Sequence, residues 1–138
     1  MMMNNEKYID ALKALAEPHR LRLFWLLTHV DQRITVAEAM DVTQETQYNA
    51  SRNLKMLYKA GLLTQEKSGK WVYYTLAEHN KPHWKALVKS VKALPEKDFS
   101  DISDLCIKRL AMRVNNQCVV GPNSEEWLSL FKGIPDRL

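Results

Sequence analysis

The sequence predicts a mainly α-helical fold that carries one small β-hairpin, and three observations support this. Apolar residues recur at helical spacing along most of the 138 residues. One stretch, residues 62–76, instead gathers strand formers around Ser68-Gly69. Pro18, Pro82 and Pro95 fall where one periodic run stops and another begins, as expected from a residue that disfavours helix before it and suits a first helical turn. With 46% hydrophobic and 26% charged residues, the composition is that of an ordinary globular chain and argues against disorder.

Each element follows from local pattern. Residues 6–16 place Tyr8, Leu12 and Leu15 on one helical stripe flanked by Ile9 and Ala16. Residues 19–29 hold Leu21, Leu23, Phe24, Trp25, Leu26 and Leu27, apolar nearly all round, which predicts a buried central helix. A short helix is expected over 35–40, with Thr35 as cap and Glu38 three residues on, a capping box. Asp41-Val42-Thr43 reads as a turn. A longer helix then runs from about Gln44 or Thr46 to Ala60, its core face supplied by Ala50, Leu54 and Leu57, with Gly61 as terminator. Residues 62–67 and 70–76 form the hairpin strands, and such a hairpin has to pack on the helices to be stable. Residues 82–94 make an amphipathic helix with Trp84, Leu87, Val88 and Val91 on its stripe. Beyond Pro95, a helix over 100–113 carries Ile102, Leu105, Cys106, Leu110 and Arg113; a loop follows, and Ser124 caps a last helix over 125–132. The expected division is residues 1–94 as one domain and 95–138 as a helical extension.

Several function classes are excluded. No apolar run reaches the roughly 18 residues of a membrane span. The start, Met1-Met2-Met3-Asn4-Asn5, lacks the basic and apolar regions of a secretory signal. Two cysteines are too few for a disulfide framework, so a cytoplasmic location is expected. An enzyme is not expected, because no Gly-rich phosphate loop, Ser-His-Asp order or His-Glu-x-x-His motif occurs. The net charge of +4 favours polyanions only weakly, so the functional argument rests on pattern.

Two helices joined by a tight turn and followed by a hairpin are in the order of a winged helix-turn-helix. A major groove about 12 Å wide admits one α-helix, and the second helix of the pair is the one that enters. That helix displays Gln44, Thr46, Gln47, Tyr48, Asn49, Ser51, Arg52, Asn53 and Lys55, groups able to read base edges or hold phosphates. Lys67 and Lys70 bracket the hairpin turn and suit backbone or minor-groove contact. Double-stranded operator DNA is therefore the expected partner.

Residues 11–76 resemble the ArsR/SmtB family of winged-helix repressors. The segments that carry the likeness run from Ala11 through Glu17-Pro18-His19-Arg20 to Leu23, from Ser51 to Leu57, from Ala60 to Leu63 and from Gly69 to Leu76. The resemblance implies a homodimer built from the first helix and residues 84–91, and a palindromic operator matched to its two-fold axis. It also implies release from the operator by an inducer, often a metal ion. This chain departs from the family between Thr43 and Leu54, a span longer than usual.

The family's Cys-x-Cys metal pair is absent, since Gln32-Arg33-Ile34-Thr35 stands in the matching stretch. His79 and His83 lie four apart, but Pro82 between them disturbs a zinc-binding geometry, and surface histidines are the plainer reading. Cys106 falls on an apolar stripe and reads as a core residue, whereas Cys118, in the polar loop Asn115-Asn116-Gln117-Cys118, is expected to be exposed and reactive. Soft thiolates suit thiophilic ions such as arsenite, so Cys106 and Cys118 are candidate inducer ligands, with a redox disulfide as the nearest competitor. The alternative function is a winged-helix protein-interaction module, with residues 127–131 docking a partner. Salt dependence separates the two, because DNA binding weakens steeply with salt.

Overall fold

The computed structural model describes residues 3–130. In chain order the elements are α1 (Met3–Leu15), α2 (Pro18–Val30), β1 (Ile34–Thr35), α3 (Val36–Thr43), α4 (Gln47–Lys59), β2 (Leu63–Ser68), β3 (Trp71–Leu76) and α5 (Pro82–Lys92). A 3₁₀ turn at Glu96–Asp98 then leads to α6 (Ser100–Leu110) and α7 (Glu125–Ser129). Phe131 and Lys132, expected at the end of the last helix, lie outside the described residues. Among those described, no helix is long and apolar enough to cross a membrane.

Helix α2 is the centre of the molecule. Residues 23–28 are buried in succession, so every side of this helix meets protein. Glu17 caps its start by accepting from the Arg20 backbone N–H at 3.0 Å, and Pro18 occupies the first turn, where a missing N–H costs nothing. Trp25 lies between Phe99, parallel at 4.5 Å, and His29 at 4.0 Å, which ties the chain beyond α5 to the central helix. Ile102, Leu105, Cys106 and Trp127 join this same core, so the extension and the preceding domain are packed as one.

The wing is a three-stranded antiparallel sheet in the order β1-β3-β2 rather than a bare hairpin. The short strand β1 pairs Ile34 with Tyr74 and Thr35 with Tyr73. Two residues of strand carry too little periodicity to be seen in sequence. The hairpin itself closes on Gly69, whose φ of +62° is a turn conformation that a glycine adopts without penalty. Thr35 belongs to two elements, since it also caps α3 through the full capping box with Glu38.

Asp41-Val42-Thr43 is helical, not a turn. Helix α3 continues to Thr43 because Val42 is buried in the core and Asp41 finds partners from far along the chain. Its Oδ2 accepts from Arg109 Nε at 2.7 Å and its Oδ1 from the Asn123 backbone N–H at 2.9 Å. One turn earlier, Glu38 accepts both Nε and Nη2 of Arg113 at 2.7 Å. Arg109 and Arg113 lie four apart while Glu38 and Asp41 lie three apart, so the two charged stripes meet in antiparallel register. All four side chains are almost completely buried. Each guanidinium also reaches a backbone carbonyl through Nη2, Arg109 bonding Val120 O and Arg113 bonding Arg33 O, each at 2.6 Å.

Burying charge is tolerable only when every partner is present, and removing one leaves the other desolvated. Arg109→Ala is therefore expected to lower stability by about 3–5 kcal/mol. Exchanging both members in the double variant Arg109→Met, Asp41→Leu should cost far less than the single change. Urea unfolding midpoints of the three proteins compare these expectations, and equal losses for the single and double variants would contradict them.

Candidate nucleic-acid interface

Helices α3 and α4 are joined by Gln44, Glu45 and Thr46. Gln44 ends α3 with φ at +58°, and its backbone N–H bonds Met40 O. It lies in the turn, and so the expected start of the second helix at Gln44 is corrected to Gln47. Thr46 is the cap of α4, its Oγ1 accepting from the Asn49 N–H at 3.1 Å.

Ala50, Leu54 and Leu57 fix α4 to the core, and helical periodicity turns the opposite side outward. Gln47, Tyr48, Ser51, Arg52 and Lys55 line one open groove of about 810 Å³. Met56 and Lys59 complete it, and Lys59 is a cation that the sequence reading left outside the interface. Its signal was present, because Tyr48, Arg52, Lys55 and Lys59 follow a spacing of three and four along one face. Tyr48 is 69% exposed, and its hydroxyl accepts from Arg52 Nη1 at 3.5 Å. An exposed aromatic beside a guanidinium offers a stacking face and a planar donor at one spot. Asn49 and Asn53 lie on the flank of this helix rather than in the groove. Asn53 is half-buried, while Asn49 is exposed and donates from Nδ2 to Glu45 Oε1 at 3.1 Å.

Lys67 and Lys70 are both exposed at the tip of the wing, and the Lys70 ammonium sits 5.1 Å from the centre of the Trp71 ring. The wing does not hang free. Arg33 covers the Tyr73 ring at 3.9 Å and pairs with Glu66 on β2.

One of the two thiols is placed differently from expectation. Cys106 is fully buried, as the apolar stripe implied, and burial pushes its thiol up to about 12. Cys118 is only 2% exposed, which corrects its reading as a surface thiol. Val114 pairs with Gln117 across Asn115 and Asn116, both at positive φ, and this tight reversal turns the next residue inward. There the Cys118 N–H donates to the Tyr73 hydroxyl at 2.9 Å, and its Sγ lies 3.6 Å from Thr35 Oγ1. Two buried thiols give no support to capture of a thiophilic ion at Cys106 and Cys118. Among the described residues no group of three or more His, Cys, Asp or Glu is placed to hold a metal ion. His79 instead meets Gly61 O at 3.2 Å and His83 packs edge-on against Tyr8.

A capped scaffold helix, a tight turn, an exposed helix with a cationic groove and a lysine-tipped wing define a winged helix-turn-helix domain of the DNA-binding class. Comparison with known proteins agrees. A family model described as "Helix-turn-helix domain" matches residues 15–66. The arsenical resistance operon repressor of Escherichia coli (strain K12) is 35% identical over 80 residues, which cover 58% of this chain and 67% of that protein. The HTH-type transcriptional repressor SmtB of Mycobacterium tuberculosis (strain ATCC 25618 / H37Rv) is 36% identical over 74 residues, 54% of this chain and 53% of SmtB. Among solved structures, HlyU from Vibrio cholerae N16961 superposes with a TM-score of 0.56 at 29% identity, over 68% of this chain and 97% of that one. The transcriptional regulator HlyU from Vibrio vulnificus CMCP6 gives a TM-score of 0.53 at 33% identity, over 66% and 90% of the two chains. The chain belongs to the ArsR/SmtB family of winged helix-turn-helix transcriptional regulators.

Thiol chemistry gives a direct check of the burial. An aromatic disulfide reagent at pH 8 should label the native thiols about a hundredfold or more slowly than the denatured ones, since the thiolate is the reacting form. Rapid labelling of one thiol in the folded protein would show that Cys118 reaches solvent.

Proposed function

We propose that the protein is a homodimeric repressor that places α4 of each copy in the major groove of a palindromic operator, with the wing lysines on the flanking backbone. The groove on α4 carries this reading, because Arg52, Lys55 and Lys59 converge there with Tyr48, Gln47 and Ser51 on a helix otherwise fixed to the core. Cations supply affinity through release of counterions, while amides, hydroxyls and the guanidinium supply base contacts. Such a role is non-catalytic and places the protein in the cytoplasm with its DNA.

The dimer is supported by an apolar surface that the single chain leaves uncovered. On α1, Tyr8, Ile9 and Leu12 are exposed, Leu12 by 57%, while Ala11, Ala14 and Leu15 face the core. Beside them, α5 presents half-buried Leu87, and a cavity of about 420 Å³ lies between Leu12, Trp84, Leu87 and the end of α4. A second copy related by a two-fold axis covers such a patch with the same patch.

Fluorescence anisotropy with duplex from upstream of the gene tests the DNA reading. Specific binding should weaken with salt on a log–log plot, and Lys55→Ala or Lys70→Ala should each reduce the slope by about 0.9 for one lost phosphate contact. Binding without salt dependence would point to a protein-interaction module instead. Separately, Leu12→Glu should give a folded monomer by sedimentation velocity, whereas an unchanged dimer would move the interface away from α1.

A further inference from the structure

Near the turn between α3 and α4 lies a chain of polar side chains outside the groove. His19, in the first turn of α2, meets Glu17 Oε2 through Nδ1 at 2.9 Å and Glu45 Oε2 through Nε2 at 3.4 Å. The other oxygen of Glu45 accepts from Asn49 Nδ2 at 3.1 Å. His19 thereby joins the α1–α2 link to the helix-turn-helix turn, and Glu45 joins that turn to the first turn of α4. A carboxylate only accepts hydrogen bonds, so the amide of Asn49 must present its nitrogen to Glu45 and its oxygen to the other side. That removes the two-fold ambiguity of an exposed asparagine. One amide hydrogen is used on Glu45, and the second remains available beside Oδ1, which is the donor–acceptor pair that recognises adenine.

We propose that Glu45 and His19 are positioning residues for sequence recognition, Glu45 setting the amide orientation of Asn49 and His19 holding Glu45 in place. This rests on α4 being the recognition helix, and it adds to that reading a cause for adenine preference and a dependence on pH. Without a cation, Glu45 would place a negative charge next to a helix that faces phosphates. Protonated His19 offsets it. The hydrogen bond to Glu17 raises the His19 pKa above its ordinary value, with burial working against it. The charges of Glu17 and Glu45 add to the rise, and Arg22 opposes it. A raised pKa means that the proton is held to higher pH than on a free imidazole and is lost as pH rises through that raised value. DNA affinity therefore falls as pH rises through the His19 titration, by no more than about tenfold per pH unit for a single proton.

The test uses the full chain and a consensus duplex selected from random sequence. In competition anisotropy, Glu45→Gln should lower the preference for adenine at one position of each half-site by about tenfold, because a glutamine amide accepts either orientation of Asn49. Asn49→Ala should lose the same preference, and adding Glu45→Gln to it should change nothing further. His19→Gln, which still hydrogen-bonds but does not titrate, should flatten the pH dependence. Circular dichroism shows whether each variant is folded, and Glu45 and His19 both lie outside the core. A selected motif read equally well by Glu45→Gln, or a pH slope that survives in His19→Gln, overturns the inference while leaving α4 as the recognition helix. Selection of no motif by the parent chain overturns the DNA reading and this inference with it.

Discussion

The arrangement depends on four buried charges. Glu38 and Asp41 project from one face of α3, and Arg109 and Arg113 reach them from the far end of the chain. Each carboxylate also accepts one backbone N–H, from Thr35 to Glu38 and from Asn123 to Asp41, but only its arginine offsets its charge where burial excludes water. The two guanidinium groups also bond Val120 O and Arg33 O, so the clamp anchors the segment after α6 and the strand before α3. Because α3 packs on α4, the placement of α4 is set partly by arginines that lie more than 60 positions beyond their partners on α3. The C-terminal extension is thus structural to the domain it follows.

Much of this was legible in the chain. The caps at Thr35 and Ser124, the core stripe of Ala50, Leu54 and Leu57, and the glycine at the wing turn are local signals with local causes. What escaped was decided at long range. Asp41 looks like a turn residue until Arg109 and the Asn123 N–H are brought to it, and then a helix can contain it. Cys118 looks exposed among asparagines, but two residues at positive φ reverse the chain and bury it under Tyr73. The strand β1 exists only because β3 lies alongside it. The groove residues from Gln47 to Lys55 were among those the pattern offered and Lys59 shares their spacing, while the place of Gln44 in the turn and the contacts of Glu45 needed the turn geometry.

The surface divides by chemistry in a way that matches two kinds of partner. On α1 and beside α5, large apolar side chains stand in solvent near a cavity, which suits the proposed dimer face. Around α4 and the wing tip, the exposed groups include lysines, an arginine, amides, two tyrosines and Glu66, which suit a wet and charged interface. The end of α4, at Lys59 and Ala60, borders both regions. The apolar face and the cationic groove thus adjoin at the end of α4.

Thr35 has one further consequence. As the last residue of β1 it is hydrogen-bonded into the wing beside Tyr73, and as the cap of α3 it starts the scaffold of the helix-turn-helix. Wing and scaffold thus share a residue and have no linker between them to absorb a change of spacing. The distance from the helix to the wing tip behaves as a fixed gauge. In the proposed complex, a duplex that meets both α4 and the wing conforms to that gauge by narrowing or bending, and its willingness to do so depends on base steps that no side chain touches. Selectivity then includes the stiffness of the DNA as well as its letters.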